Sequence, residues 1–160
     1  MRIQIQFYPQ LHIYIYDQNH PMLTRAAWGF GVEAGTQAIR MILSGIFDKH
    51  PNLRIILGHL GEALPFWLPR IQESLARENG QQMNFEQIFK SNFWITTSGF
   101  FSNTALELCL KVLDTDRILF AIDWPYASNQ SGVNWLKNAP IDAEIKAAIY
   151  YKNAQKLLKV

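Results

Sequence analysis

Leu53-Arg54-Ile55-Ile56-Leu57, closed at once by Gly58-His59, is the stretch on which the fold turns. A short, nearly continuous apolar run ending at glycine is the pattern of a strand buried on both faces of a parallel sheet. Two later stretches repeat it. Phe93-Trp94-Ile95-Thr96-Thr97 stops at Ser98-Gly99, and Arg117-Ile118-Leu119-Phe120-Ala121-Ile122 stops at Asp123-Trp124-Pro125. The segments between read as helices. Residues 31–49 set Val32, Ile39, Ile42, Leu43, Ile46 and Phe47 at helical spacing, with Pro51 as the stop. Helix is expected again over residues 62–78, over a short piece opened by Asn84, over 103–112 behind a Ser102 cap, and from an Asp142 cap to about residue 159. Upstream, residues 3–7 and 12–16 alternate Ile, Tyr and Phe with other residues around Pro9, which predicts two short strands or one interrupted strand. A turn cluster, Asp17-Gln18-Asn19-His20-Pro21, closes that part.

The resulting order, β-α four times over, argues for an α/β fold with parallel strands and right-handed crossovers. Two architectures fit: an open doubly wound sheet and a piece of a closed (β/α)8 barrel. A full barrel takes about 250 residues and rarely fewer than about 200. With 160 residues and about four βα units, the chain is expected to form an open sheet or half a barrel, as a single domain without linker or repeat.

Composition narrows the function. Hydrophobic residues are 49% and charged residues 18%, a balance that excludes intrinsic disorder. Lys and Arg exceed Asp and Glu by two, too little for a basic face, so nucleic acid is not indicated as a partner. No apolar run reaches membrane-spanning length, and residues 1–10 lack the continuous apolar core of an export signal. The single cysteine, Cys109, lies on an apolar helix face and is expected to be buried and inert, which suits a reducing, cytoplasmic compartment.

Reactive groups of either architecture belong at the carboxyl ends of the strands, where loops converge on one crevice. The strand ends here carry His59, the Thr97-Ser98 hydroxyls and Asp123. Gly58 and Gly61 allow a tight turn around His59, and Glu62, three residues on, could orient the imidazole, favour a helix N-terminus, or both. His59 could equally cap its loop. Asp123, after an apolar strand, needs a metal, a proton or a helix N-terminus to balance its charge, unless it is a plain turn aspartate before proline. Thr97 and Ser98 could hold substrate or end a turn. No G-x-S-x-G elbow, dinucleotide fingerprint or Walker loop is present. Trp28, Trp67, Trp94 and Trp124 supply core mass or the walls of an aromatic pocket. Arg70 reads as a surface or paired arginine, with anion clamping as its other use.

Ser44-Gly45-Ile46-Phe47-Asp48-Lys49-His50-Pro51 and Ile55-Ile56-Leu57-Gly58-His59-Leu60-Gly61-Glu62-Ala63-Leu64-Pro65-Phe66 resemble the amidohydrolase-related family of metal-dependent decarboxylases and hydrolases. Trp28-Gly29-Phe30-Gly31-Val32-Glu33, Thr96-Thr97-Ser98-Gly99, the run Arg117 through Pro125, and Asn153-Ala154-Gln155-Lys156-Leu157-Leu158 match the same family in the same order. The resemblance covers the chain from about Pro21 onward. It implies the C-terminal half of a (β/α)8 barrel, residues 1–20 being divergent, and a divalent metal, zinc or manganese, at the strand ends. It implies metal binding and proton handling for Asp123, a catalytic role for His59 with Glu62 beside it, and substrate contacts for Arg70, Ser98 and Trp124. Arg70 matches an arginine that in some members reaches the substrate of a neighbouring subunit. The substrates implied are small aromatic or unsaturated carboxylates, with the metal on the carboxylate while Asp123 or His59 handles the proton that replaces CO2.

Two departures set the expectations for this chain. The family's first-strand His-x-His or Glu-x-His ligands are absent, and His20, before Pro21, is the nearest candidate for a further metal ligand. A half-barrel also leaves sheet edges and apolar side chains open, so a homodimer or higher oligomer is expected. A metal-dependent lyase or hydrolase is the first reading, a non-catalytic, self-associating barrel remnant the second, and a small module binding an anionic aromatic ligand the third.

Overall fold

The computed structural model describes residues 20–79 and 83–159. The strands expected over residues 3–7 and 12–16, and most of the turn after them, lie outside the described residues. His20 precedes a 3-10 turn, Pro21–Thr24, after which come α1, Gly29–Leu43, and the short α2, Ile46–Lys49. The single helix expected over residues 31–49 is therefore two. Gly45 adopts φ +69°, a left-handed conformation that ends α1 and restarts the chain in a new direction, which apolar spacing alone does not reveal.

Three parallel strands follow: β1, Ile55–Leu57; β2, Phe93–Thr96; and β3, Ile118–Leu119. The sheet order is β1-β2-β3, with Ile55 opposite Phe93, Leu57 opposite Ile95, Ile95 opposite Ile118 and Thr96 opposite Leu119. Period-two alternation sends Ile55, Leu57, Phe93, Ile95 and Ile118 to one face, where Phe85, Phe89, Leu68 and Leu106 complete a continuous apolar core. The other face carries Ile56, Trp94, Thr96 and Leu119. Ile56 is 52% exposed there, whereas Phe93 and Ile95 are fully buried.

The connecting helices are α3, Leu64–Asn79, α4, Phe85–Asn92, and α5, Asn103–Val112. Asn84 caps α4 by accepting from the Gln87 amide, and Ser102 caps α5 by accepting from the Ala105 amide, as their sequence positions predict. The expected strand over residues 117–122 shortens to two residues, and past Leu119 the Thr97 hydroxyl stands in for a main-chain rung at Ala121. A helix that apolar spacing does not announce, α6, Asn129–Asn138, begins behind a Ser128 cap. The C-terminal helix runs as α7, Ala143–Ala147, a π-turn, Ala148–Lys152, and α8, Asn153–Leu158. Asp142 stands before it but makes no side-chain capping bond.

Two buried asparagines tie this frame together at the amino ends of the strands. Asn92 donates to the Pro51 and Leu53 carbonyls, and Asn153 donates to the Thr115 and Ile118 carbonyls. Each satisfies backbone that no strand partner reaches. The described α/β unit is thus a segment of barrel wall, helices outside and parallel strands inside. No helix among the described residues is long and apolar enough to cross a membrane.

Candidate active site

The loops leaving the carboxyl ends of all three strands meet at one mouth. The chain leaves β1 through His59–Glu62, which is no ordinary helical turn: His59, Leu60, Gly61 and Glu62 all have positive φ, as does Ala63. This left-handed coil brings the Glu62 side chain back beneath the imidazole. The helix expected from residue 62 consequently starts at Leu64. Pro65 and Leu68 are buried behind the coil, and the Cys109 thiol donates to the Leu60 carbonyl at 3.6 Å.

Glu62 Oε1 lies 2.7 Å from His59 Nδ1, and the Glu62 side chain is 8% exposed. An ionised carboxylate can only accept, so the hydrogen sits on Nδ1, and Glu62 orients the ring. The other ring nitrogen, Nε2, faces Asp123 Oδ2 at 3.6 Å, an ion-pair separation beyond a formed hydrogen bond. His59 therefore stands between two carboxylates, one fixing the ring from below and one sharing the open mouth. Such a group can gain or lose a proton at Nε2 without losing its orientation.

Asp123 reaches this place through strained backbone, φ +73°. Its carbonyl accepts from the Tyr126 and Ala127 amides at 2.8 and 3.1 Å, which closes the loop behind it, and the Trp124–Pro125 peptide is cis. From the β2 side, Thr97 is fully buried and its hydroxyl both donates to the Ala121 carbonyl (2.9 Å) and accepts from the Ala121 amide (3.1 Å). Together with Thr97 N–H to Leu119 O and Gly99 N–H to Ile122 O, this carries the β2–β3 pairing past the end of the strands to the residue before Asp123.

Space at the mouth is set by glycines. A Cβ on Gly99, whose φ is +62°, would stand 3.0 Å from Asp123 Oδ2 and 3.5 Å from the His59 ring. A Cβ on Gly31, in α1, would stand 2.8 Å from Glu62 Oε2. Both glycines stand in motifs the sequence displays, but nothing there assigns them this spacing role. The adjacent strand-end hydroxyls and the Trp-Gly-Phe-Gly run were the available signals.

The remaining candidates separate. Ser98 is half-buried, hydrogen-bonded to Thr96, and turned toward Gly58 at the edge of the mouth. Trp124 is 72% exposed beside Asp123. Trp28 and Trp67 line a groove that begins at Glu62. Trp94 is elsewhere, at the amino end of β2, with its indole N–H donating to the Asp116 carbonyl. Thr97 faces β3 rather than the mouth. Arg70 is exposed on α3, and His20 is exposed before the 3-10 turn. Among the described residues no group of three or more His, Cys, Asp or Glu is gathered as a metal would require. The donors at the mouth are one carboxylate and an imidazole whose Nδ1 is already engaged, so the described residues do not by themselves fit a divalent ion.

Residues 3–160 match the amidohydrolase family model. The chain belongs to the amidohydrolase family. It is 37% identical over 151 residues to the gamma-resorcylate decarboxylase of Polaromonas sp., a match covering 91% of this chain and 46% of that protein. The solved 5-carboxyvanillate decarboxylase LigW of Sphingomonas paucimobilis superposes with a TM-score of 0.84 at 38% identity, over 94% of this chain and 46% of that one. A dihydroxybenzoic acid decarboxylase from Polaromonas sp., solved with manganese and 2-nitroresorcinol, superposes with a TM-score of 0.87 at 36% identity over the same shares. The chain thus spans about half the length of the amidohydrolase relatives it matches, and its sheet is part of a barrel.

Proposed function

We propose that this amidohydrolase chain, a single domain forming the C-terminal half of the family's barrel, provides the proton-handling wall of a decarboxylase site for small hydroxylated aromatic carboxylates. One observation carries the reading: His59 is held by Glu62 at Nδ1 and opposed by Asp123 at Nε2, at the carboxyl ends of barrel strands. Loss of CO2 from an aromatic ring leaves an electron pair on carbon that a proton must take up. An imidazole whose other nitrogen is anchored presents Nε2 from a fixed direction, so a proton passed through it reaches the same place each time. The relatives' named substrates, resorcylate and carboxyvanillate, are of this class.

In this reading Trp124 and Ser98 border the substrate, one as an exposed aromatic wall and the other as a hydroxyl at the rim. Arg70, standing out from α3, serves the carboxylate of a substrate held by another copy. Asp123 would be the carboxylate offered to a divalent ion, manganese or zinc, with His20 the further donor the sequence suggests, and the ion would supply charge stabilisation at the substrate carboxylate. The described donors do not by themselves complete a metal site.

The test is decarboxylation of 2,6-dihydroxybenzoate by the purified chain with added manganese, with metal content measured in parallel. Turnover that drops by about a hundredfold or more in His59→Asn and in Asp123→Asn supports the proposal. The incomplete donor set favours a second reading, a barrel remnant that associates without catalysis. Absence of both bound metal and turnover in a folded, self-associating chain would support that one instead.

A further inference from the structure

A second concavity, of about 380 Å³, opens at the other end of the same strands. Its floor is Trp94. Arg54, just before β1, and Arg117, just before β3, approach that one indole from the strands on either side, their guanidinium carbons 5.5 and 4.3 Å from the ring centroid. Lys156 and Lys159 line the same hollow, and Asp116 is the carboxylate facing them.

The charge accounting is uneven. The whole chain carries +2, yet four cations converge here on one carboxylate. Asp116 is already divided between two of them, Oδ1 to Arg117 Nε at 3.4 Å and Oδ2 to Lys156 Nζ at 3.2 Å. Arg117 Nε is nevertheless buried without a hydrogen bond, while its Nη1 donates to the Ser91 carbonyl. Arg54 is exposed and lies over the Trp94 ring without a carboxylate partner among the described residues. A guanidinium over an aromatic ring is held as a cation without using its N–H donors on that ring, and two such groups beside one hollow suit the oxygens of a multiply charged anion. Asn92 and Asn153, buried beside the hollow, fix the backbone on both sides, so the cations are presented by a rigid floor.

We propose that this hollow binds a phosphate dianion, free or as the phosphoryl group of a small metabolite, with Arg54 and Arg117 as the paired clamp and Lys156 as the outer cation. The site is separate from the His59–Asp123 mouth, since Arg54 and Arg117 stand just before β1 and β3 whereas His59 and Asp123 follow them. Its occupant is therefore no substrate of that mouth.

Titration calorimetry of the intact chain with inorganic phosphate, pyrophosphate and phenyl phosphate tests this, with Trp94 fluorescence as a second readout against a Trp94→Phe control. Saturable binding of one equivalent, weakened about tenfold or more in Arg54→Gln and in Lys156→Gln but unchanged in the remote Lys137→Gln, is the expected result. Preference for phenyl phosphate points to an esterified ligand, and preference for pyrophosphate or phosphate to a free one. Both substituted residues are exposed, and circular dichroism confirms that their variants fold. No saturable binding, or equal weakening in all three variants, overturns the proposal.

Discussion

His59, Leu60, Glu62, Ala63 and Asp123 hold φ between +44° and +73° without being glycine, and all lie within the turn or loop that forms the mouth. Each such residue costs on the order of 1–2 kcal/mol relative to ordinary backbone. Strain concentrated where a histidine meets two carboxylates is the expected signature of geometry retained for chemistry rather than stability. Ala63 offers the cleanest test, being exposed and outside the hydrogen bonds of the His59 side chain. Ala63→Gly is expected to raise stability by about 1 kcal/mol, read as a higher urea midpoint at unchanged slope. Gly99→Ala should do the reverse, since its Cβ presses on Asp123 Oδ2 in a left-handed conformation; we expect about 1–3 kcal/mol lost, read as a lower urea midpoint. At this scale the strand-end rule led to His59 and Asp123, which the fold brings within 3.6 Å, and the three-residue spacing led to Glu62 beside His59; the same rule also pointed to Thr97, which faces β3 instead. The left-handed coil was not legible. Its four non-glycine residues have ordinary helical or neutral propensities, and the tertiary fit to Glu62 overrides them.

Between elements, Thr97 acts as a splint. Its hydroxyl replaces a main-chain rung at the point where β3 leaves β2, and it satisfies both polar groups of Ala121 inside the core. Thr97→Val keeps the shape and removes both bonds, so it should cost about 1–3 kcal/mol in denaturant unfolding, whereas Thr97→Ser, keeping the hydroxyl, should recover most of that loss. Behind the same mouth, burial pushes the Cys109 thiol up to about 12 from an ordinary 9.0. The neutral form is the one the fold favours, so stability from this group is intact below pH 9 and declines as pH rises from there toward 12, where the unfolded chain ionises first. Thiol-specific labelling at pH 8 should accordingly follow unfolding by denaturant; rapid labelling of the folded chain would contradict the burial. The sequence announces α4 and α5 by their caps, and the structure honours both. It misses the break after α1 and the π-turn near the C-terminus, because a single left-handed glycine or one extra residue per turn leaves apolar spacing nearly unchanged.

At the scale of the whole molecule, the described residues leave one face of the sheet open. Helices cover one side of the sheet, while Ile56 on the other is half in solvent and, among the described residues, β1 and β3 each pair on one side only. A closed barrel has no such edges, and the relatives that superpose on this chain are about twice its length. Parallel order and continuous apolar strands were legible because burial on both faces forbids polar alternation. Whether the barrel closes was not, since closure depends on partners outside these strands. The open edge and the half-exposed Ile56 lead us to expect that the 160-residue chain self-associates through this face in solution. Burying an isoleucine that is half exposed contributes about 1–2 kcal/mol per copy, and placing a lysine there adds the cost of desolvating a charge. Sedimentation velocity should therefore show a dimer or larger species for the parent chain and a shift toward monomer for Ile56→Lys, with the dissociation constant rising at least about tenfold. A parent chain that remains monomeric across the accessible concentration range would mean that its own residues already cover the face.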